Sequence, residues 1–302
     1  MTRLFRPLLA ALLAAAAASV PAEEPPAAPA PAAPAFRATA SLEPVAGLVE
    51  TLGAGRWTCS ALAGRGSDPH SFEPTPRQMA DVAGSVAFFE SGMPFEENLA
   101  ARLRRTRPGL AIVDLSGRGD GDGHGDGHAG HHHGGGDLHG WLSPPELSEF
   151  AGRVSAALSA ADPAGAAAYA EALAAYRARA AAVHAEVRAR LASAGVRAFG
   201  AWHPAFGPFA AAMGVRQVAL EQDGREPSPR RLAEAERELR ELGARTVLVQ
   251  NDAERRRVAP FARRLSLRVA AADPLGRDAL ASVRALGEAL APDAAEEGKD
   301  AE

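Results

Sequence analysis

The sequence predicts an α/β protein of two lobes, each a mostly parallel sheet flanked by helices, joined by a long spine helix. Three observations predict it. A chain of 302 residues exceeds one small core and suits two domains of roughly 100–150 residues. Short strand-like runs alternate with helical ones over residues 37–115, and the alternation resumes from Val196, as in parallel sheets covered by helices. Between the two lies a helical stretch of about 30 residues ending at Ser193, roughly 45 Å at 1.5 Å per residue. With 47% hydrophobic and 23% charged residues, both lobes can form a globular core.

In chain order, Arg3 and Arg6 precede the apolar run Pro7 to Val20, and small residues follow to Ala22. A charged start, a short apolar stretch and a small-residue site describe a secretory signal peptide over residues 1–22. The run is short for a membrane span, which needs about 20 apolar residues. No cysteine stands near the cleavage region, so a lipid anchor on cysteine is not expected, and the mature protein is expected to be soluble. Residues 23–35 are a Pro/Ala-rich linker. The first lobe, 36–143, has expected strands at 37–41, 57–62, 86–90 and 110–115, with helices at 45–52, 78–83 and 96–105. Its loop 117–136 is almost wholly Gly, Asp and His, which cannot bury a core. Residues 144–194 are linking helices, interrupted at Asp162-Pro163, where Pro163 suits a first turn and Asp162 its cap. Alanine dominates every face of the longer helix, so a spine is favoured over a coiled coil. The second lobe, 195–292, has expected strands at 196–200, 215–220, 246–250 and 267–271, and helices at 206–213, 229–242, 254–265 and 279–290. Residues 293–302 form an acidic tail.

Composition excludes several classes. The net charge is −4, unlike the basic footprint of a nucleic-acid binder. Cys59 is the only cysteine, so neither an intramolecular disulfide nor a cysteine-rich zinc site is possible. Its apolar surroundings predict a buried thiol.

The chemistry lies in the histidines. Five of the nine fall in the Gly/Asp/His loop: His124, His128, His131, His132 and His133. They are expected to form weak auxiliary metal sites. His184 sits inside the long helix and is read as ordinary. His70, His139 and His203 each stand in a turn-rich segment at the end of a strand-like or loop stretch, where α/β sheets place their ligands. Imidazole is a common zinc ligand. A closed tetrahedral shell needs one more donor, and Asp273, after the last strand, is placed to supply an oxygen.

Several segments carry a resemblance. Ser67-Asp68-Pro69-His70-Ser71-Phe72-Glu73-Pro74-Thr75-Pro76, Phe89-Glu90-Ser91-Gly92, Asp137-Leu138-His139-Gly140-Trp141-Leu142-Ser143-Pro144, Trp202-His203-Pro204-Ala205-Phe206, Glu226-Pro227-Ser228 and Asp273-Pro274-Leu275-Gly276 resemble, in this order, segments of the zinc and manganese solute-binding proteins of ABC transporters. The likeness spans nearly the whole mature chain. It implies a metal site in the cleft between the lobes, with His70 and His139 from the first and His203 and Asp273 from the second. It also implies a periplasmic protein, not an enzyme, that captures Zn²⁺ and delivers it to a membrane permease. No nucleic-acid partner is expected, and the protein is expected to be a monomer. Gly140 departs from the pattern, where a larger residue is usual, and the cysteine pair of some members is missing.

The manganese branch usually has a carboxylate where this chain has His203, and a third imidazole favours the softer zinc. Three rival functions remain: a periplasmic zinc buffer or chaperone without a transporter, a manganese-binding homologue, and a zinc hydrolase. The last would keep an open metal position, and no His-Glu-x-x-His occurs in the sequence.

Overall fold

The computed structural model describes residues 34–117, 137–222 and 224–292. The expected signal peptide, most of the linker, the five loop histidines and the acidic tail lie outside the described residues. The first lobe runs β1 (Phe36–Leu42), α1 (Glu43–Leu52), β2 (Trp57–Ala63), α2 (Pro76–Ala83), β3 (Ala87–Glu90), α3 (Pro94–Thr106) and β4 (Ala111–Asp114). A 3₁₀ turn at Gly140–Leu142 leads into α4 (Pro144–Ala161), and a second at Pro163–Gly165 into α5 (Ala166–Ser193). The second lobe runs β5 (Ala198–Ala201), α6 (Gly207–Met213), β6 (Arg216–Ala219), α7 (Pro229–Leu242), β7 (Thr246–Val249), α8 (Asp252–Leu265), β8 (Arg268–Ala271) and α9 (Ala279–Leu290).

Each sheet is four-stranded and parallel, in the orders β2-β1-β3-β4 and β6-β5-β7-β8. In both, the chain first steps outward by one strand and then crosses back. The reversal leaves a crevice at the carboxyl ends of the two central strands. Those central strands are buried on both faces, as parallel sheets require: β3, β5 and β7 are buried throughout. Side chains alternate between the faces. Phe89 and Leu248 enter one continuous core shared by both lobes, whereas Phe88 and Val247 enter separate outer clusters.

Helix starts follow local sequence rules. Prolines at the first helical turn begin α2, α3, α4 and α7, where a missing N–H costs nothing. Thr75 and Gln78 cap α2 reciprocally: Gln78 N donates to Thr75 Oγ1 (3.3 Å) and Thr75 N to Gln78 Oε1 (2.9 Å).

The spine expectation holds, and sparse large residues define its buried face. Tyr169, Tyr176, Ala180, Val183, Val187 and Leu191 are the buried residues of α5, at helical spacing. The helix packs against α1 and α4 and also against α6 and α9. The expected Asp162 cap is corrected: its side chain makes no cap hydrogen bond, and α5 starts beyond the 3₁₀ turn. The Asp162 carboxylate instead accepts from Arg56 Nε (2.6 Å) and the Tyr169 hydroxyl (2.5 Å), while Trp57 Nε1 donates to that hydroxyl (2.9 Å). A charged guanidinium and a buried phenol engage the carboxylate in place of a helix-end N–H.

Further contacts tie the lobes. Trp141 Nε1 donates to Pro274 O at 2.7 Å in a buried bond. Arg277 pairs with Glu43 and Glu50 and donates to Cys59 O. A Cβ at Gly47 would strike the carbonyl of Arg277, so glycine permits α1 to approach that loop.

Candidate metal centre

His70, His139 and His203 come together at the carboxyl ends of the two sheets. Their ligand atoms all lie within 4.8 Å of one another. They line a cleft of about 810 Å³ with Asp68, Asp137, Trp141, Glu221 and Glu254 among its other walls.

Each histidine is positioned differently. His70 lies in the loop between β2 and α2. There Asp68 Oδ1 accepts from the His70 backbone N–H (2.9 Å) and Asp68 Oδ2 from Ser71 Oγ (2.6 Å). The Gln78 side chain anchors the loop's exit by donating to Leu62 O (2.8 Å). His139 is buried and starts the first 3₁₀ turn, its carbonyl accepting from Leu142 N–H at 3.0 Å. Asp137 Oδ1 lies 3.1 Å from its backbone nitrogen and 2.6 Å from its ring Nδ1. A Cβ at Gly207 would meet the same carboxylate, so α6 begins with the one residue that leaves Asp137 its place. His203 follows β5, with its Nδ1 3.0 Å from Glu221 Oε1. Glu221 is itself set by its N–H, which donates to Trp202 O at 2.9 Å.

These carboxylates decide which nitrogen faces the cleft. A neutral imidazole whose Nδ1–H donates to a carboxylate presents the lone pair of Nε2. His203 Nε2 lies 3.3 Å from His70 Nε2. Zn–N bonds of 2.0–2.1 Å at tetrahedral angles place two ligand nitrogens about 3.3–3.4 Å apart. The three rings, with centroids 5.1 to 5.9 Å apart, therefore suit a small divalent cation with nitrogen ligands. Partial desolvation of the His70 ring by the cleft walls, with His139 and His203 beside it, lowers its pKa from the usual value of 6.5. A lowered pKa keeps that lone pair free of protons.

Asp273 stands at the expected strand end but outside the three-histidine group. Its Oδ2 accepts from Arg65 Nε at 2.8 Å and its Oδ1 from the Leu275 N–H at 2.9 Å. Glu254 lines the cleft with both oxygens engaged: Oε2 accepts from Gln250 N (2.7 Å) and Oε1 from Asn251 Nδ2 (3.3 Å). Burial raises its pKa. His184 lies elsewhere and meets Ala212 O at 2.9 Å. Cys59 is buried, and that burial pushes its thiol pKa up. The unusual Gly140 also has a reason: a Cβ there would meet the Glu146 carboxylate and the Phe150 ring of α4.

Sequence reasoning missed Asp137, Glu221 and Arg65. Asp137 stands two residues before His139, and Glu221 two residues past the end of β6. Both positions were readable as strand-end or pre-ligand carboxylates. Arg65 carried no local signal.

Paired doubly wound lobes, a bridging helix and a histidine cluster in the crevice define the class of two-lobed metal-binding proteins. Residues 39–283 match the family described as "ZnuA: Zinc-uptake complex component A periplasmic", and the chain belongs to that family. Solved structures agree on the fold. A crystal structure of ZnuA is 24% identical, with a TM-score of 0.73 over 85% of this chain and 98% of that one. A manganese-bound variant of a periplasmic metal binding protein from Candidatus Liberibacter asiaticus is 17% identical, with a TM-score of 0.69 over 84% and 99%. A Zn(II)-bound variant of Streptococcus pneumoniae AdcAII is 18% identical, with a TM-score of 0.67 over 84% and 99%. Family members are periplasmic metal-binding components of ABC transporters. No helix among the described residues is long and apolar enough to cross a membrane.

Proposed function

We propose that this protein binds Zn²⁺ through His70, His139 and His203, with Asp273 as the fourth donor, and delivers it to the permease of an ABC-type uptake transporter. The observation that carries the reading is the convergence of three imidazoles, two of them backed by carboxylates, at the spacing of a tetrahedral nitrogen site. Zinc is preferred to manganese because three imidazoles make a softer donor set than a shell containing more carboxylate. The manganese-bound relative makes this the distinction to test. We assign residues 1–22 to export, the loop histidines to weaker auxiliary sites, and the working form to a monomer.

The test is competitive titration of tag-free protein with zinc and manganese, with elemental analysis of the protein as purified. Tight zinc binding, abolished in His203→Ala and shifted toward manganese in His203→Glu, is expected. Equal affinity for the two metals in the parent would overturn the zinc assignment. Zinc uptake by cells lacking the protein, compared with cells carrying it, tests delivery. Uptake independent of the protein would leave it a buffer.

A further inference from the structure

The carboxylate of Asp273 is already engaged by a cation of the opposite lobe. Arg65 lies in the loop after β2, the same loop that carries His70. Asp273 lies in the loop after β8, 208 residues along the chain. Their Nε–Oδ2 distance is 2.8 Å, and the Arg65 side chain is 81% exposed against 34% for Asp273. The carboxylates of Asp137 and Glu221 each hold a ring nitrogen, whereas that of Asp273 holds a guanidinium.

We propose that Arg65 competes with the metal for Asp273. It pairs with the carboxylate while the cleft is empty and leaves when zinc takes that oxygen as its fourth donor. This rests on the metal-binding reading above. The physical argument is charge balance. The Asp273 carboxylate follows the last strand beside a cleft whose ligand cluster is three imidazoles, and Arg65 supplies it with a positive partner without ordering a buried group. A guanidinium has five donors and no lone pair, so it can mimic the charge of a cation but cannot ligate one. The pair is also weak enough to yield. An exposed ion pair contributes up to about 1 kcal/mol, roughly fivefold in an equilibrium constant. Displacement returns Arg65 to solvent at the mouth of the cleft, so loading changes the charge presented there as well as the interior.

The experiment is a double-mutant cycle in zinc affinity, using the full-length protein and the variants Arg65→Ala, Asp273→Asn and the pair. Competition predicts that Arg65→Ala tightens zinc binding by about two- to fivefold. The same change made in the Asp273→Asn background should do nothing. If the gain persists in that background, Arg65 acts only as a nearby positive charge, and the proposal is wrong. If Arg65→Ala leaves affinity unchanged or weakens it, competition is likewise excluded. His139→Ala in the same assay separates the two levels. Should it bind zinc as tightly as the parent, the three-histidine site itself fails; should it lose zinc while the cycle shows no coupling, only the role of Arg65 falls.

Discussion

The two histidines of the first lobe are held in opposite ways. His139 is buried, its ring is fixed by Asp137, and its neighbour Trp141 is locked to the second lobe through Pro274 O. The ring also lies 5.2 Å from that of Trp141. His70 rides an exposed loop, and its carboxylate partner Asp68 grips the backbone rather than the ring. The core therefore sets His139 before any metal arrives, whereas His70 is placed by turns. A ligand on a preset scaffold loses little conformational freedom on binding, and a ligand on a loop loses more. The buried side should thus govern how tightly metal is held, and the loop side how the site is completed.

The largest expected effect tests this asymmetry directly. His139→Ala should weaken zinc binding by more than the 10- to 100-fold typical of losing an outer-shell partner, and His70→Ala should cost less. Calorimetric titration of both variants against the parent checks the order, and equal losses would abolish the distinction. Asp137→Asn comes next, at about 10- to 100-fold in zinc affinity, since the amide no longer favours the tautomer with Nε2 free. Asp68→Ala should cost only a few-fold, because Asp68 accepts from the His70 backbone N–H and Ser71 Oγ and does not hold the ring. Comparable losses in Asp137→Asn and Asp68→Ala would mean that ring and backbone support are equivalent.

Third, Trp141→Phe removes a buried donor and leaves Pro274 O unpaired, which costs roughly 1–3 kcal/mol. Thermal unfolding of the metal-free protein should show the loss. The smallest effect is on pH. The folded pKa of His70 lies below its ordinary 6.5, so the folded protein binds fewer protons than the unfolded chain just below that pH. Stability attributable to His70 is therefore complete above about 6.5 and declines on acidification until the folded pKa is passed. For the same reason, protons begin to compete at His70 only below the pH at which free imidazole titrates. Chemical-shift titration of the His70 ring in metal-free protein measures it, and a midpoint at or above 6.5 would contradict the burial argument.

The two lobes were legible because alternation of strands and helices is a local pattern, and prolines at first helical turns mark where α2, α3, α4 and α7 begin. The histidines were legible because each stands beside a proline or glycine in a loop that follows a strand. What escaped reading is long-range pairing. The Asp162 side chain has the composition of a cap, yet Arg56, 106 residues away, takes it. Asp273 is where expected, yet Arg65, 208 residues away, holds it. The 3₁₀ turn at Gly140–Leu142 is too short to show any period. Local rules describe what a residue can do, and distant neighbours choose among those options.

The core shared by the two sheets constrains how the lobes can move apart. Phe89 and Leu248, from opposite lobes, belong to one apolar mass with Tyr176 and Val187 of the spine. Swinging the lobes apart would wet that mass, at roughly 25 cal/mol for each Å² of apolar surface exposed. The molecule behaves as a clamp with a stiff frame and a soft jaw. The stretch 64–75, held by a few hydrogen bonds, is expected to yield before that frame does.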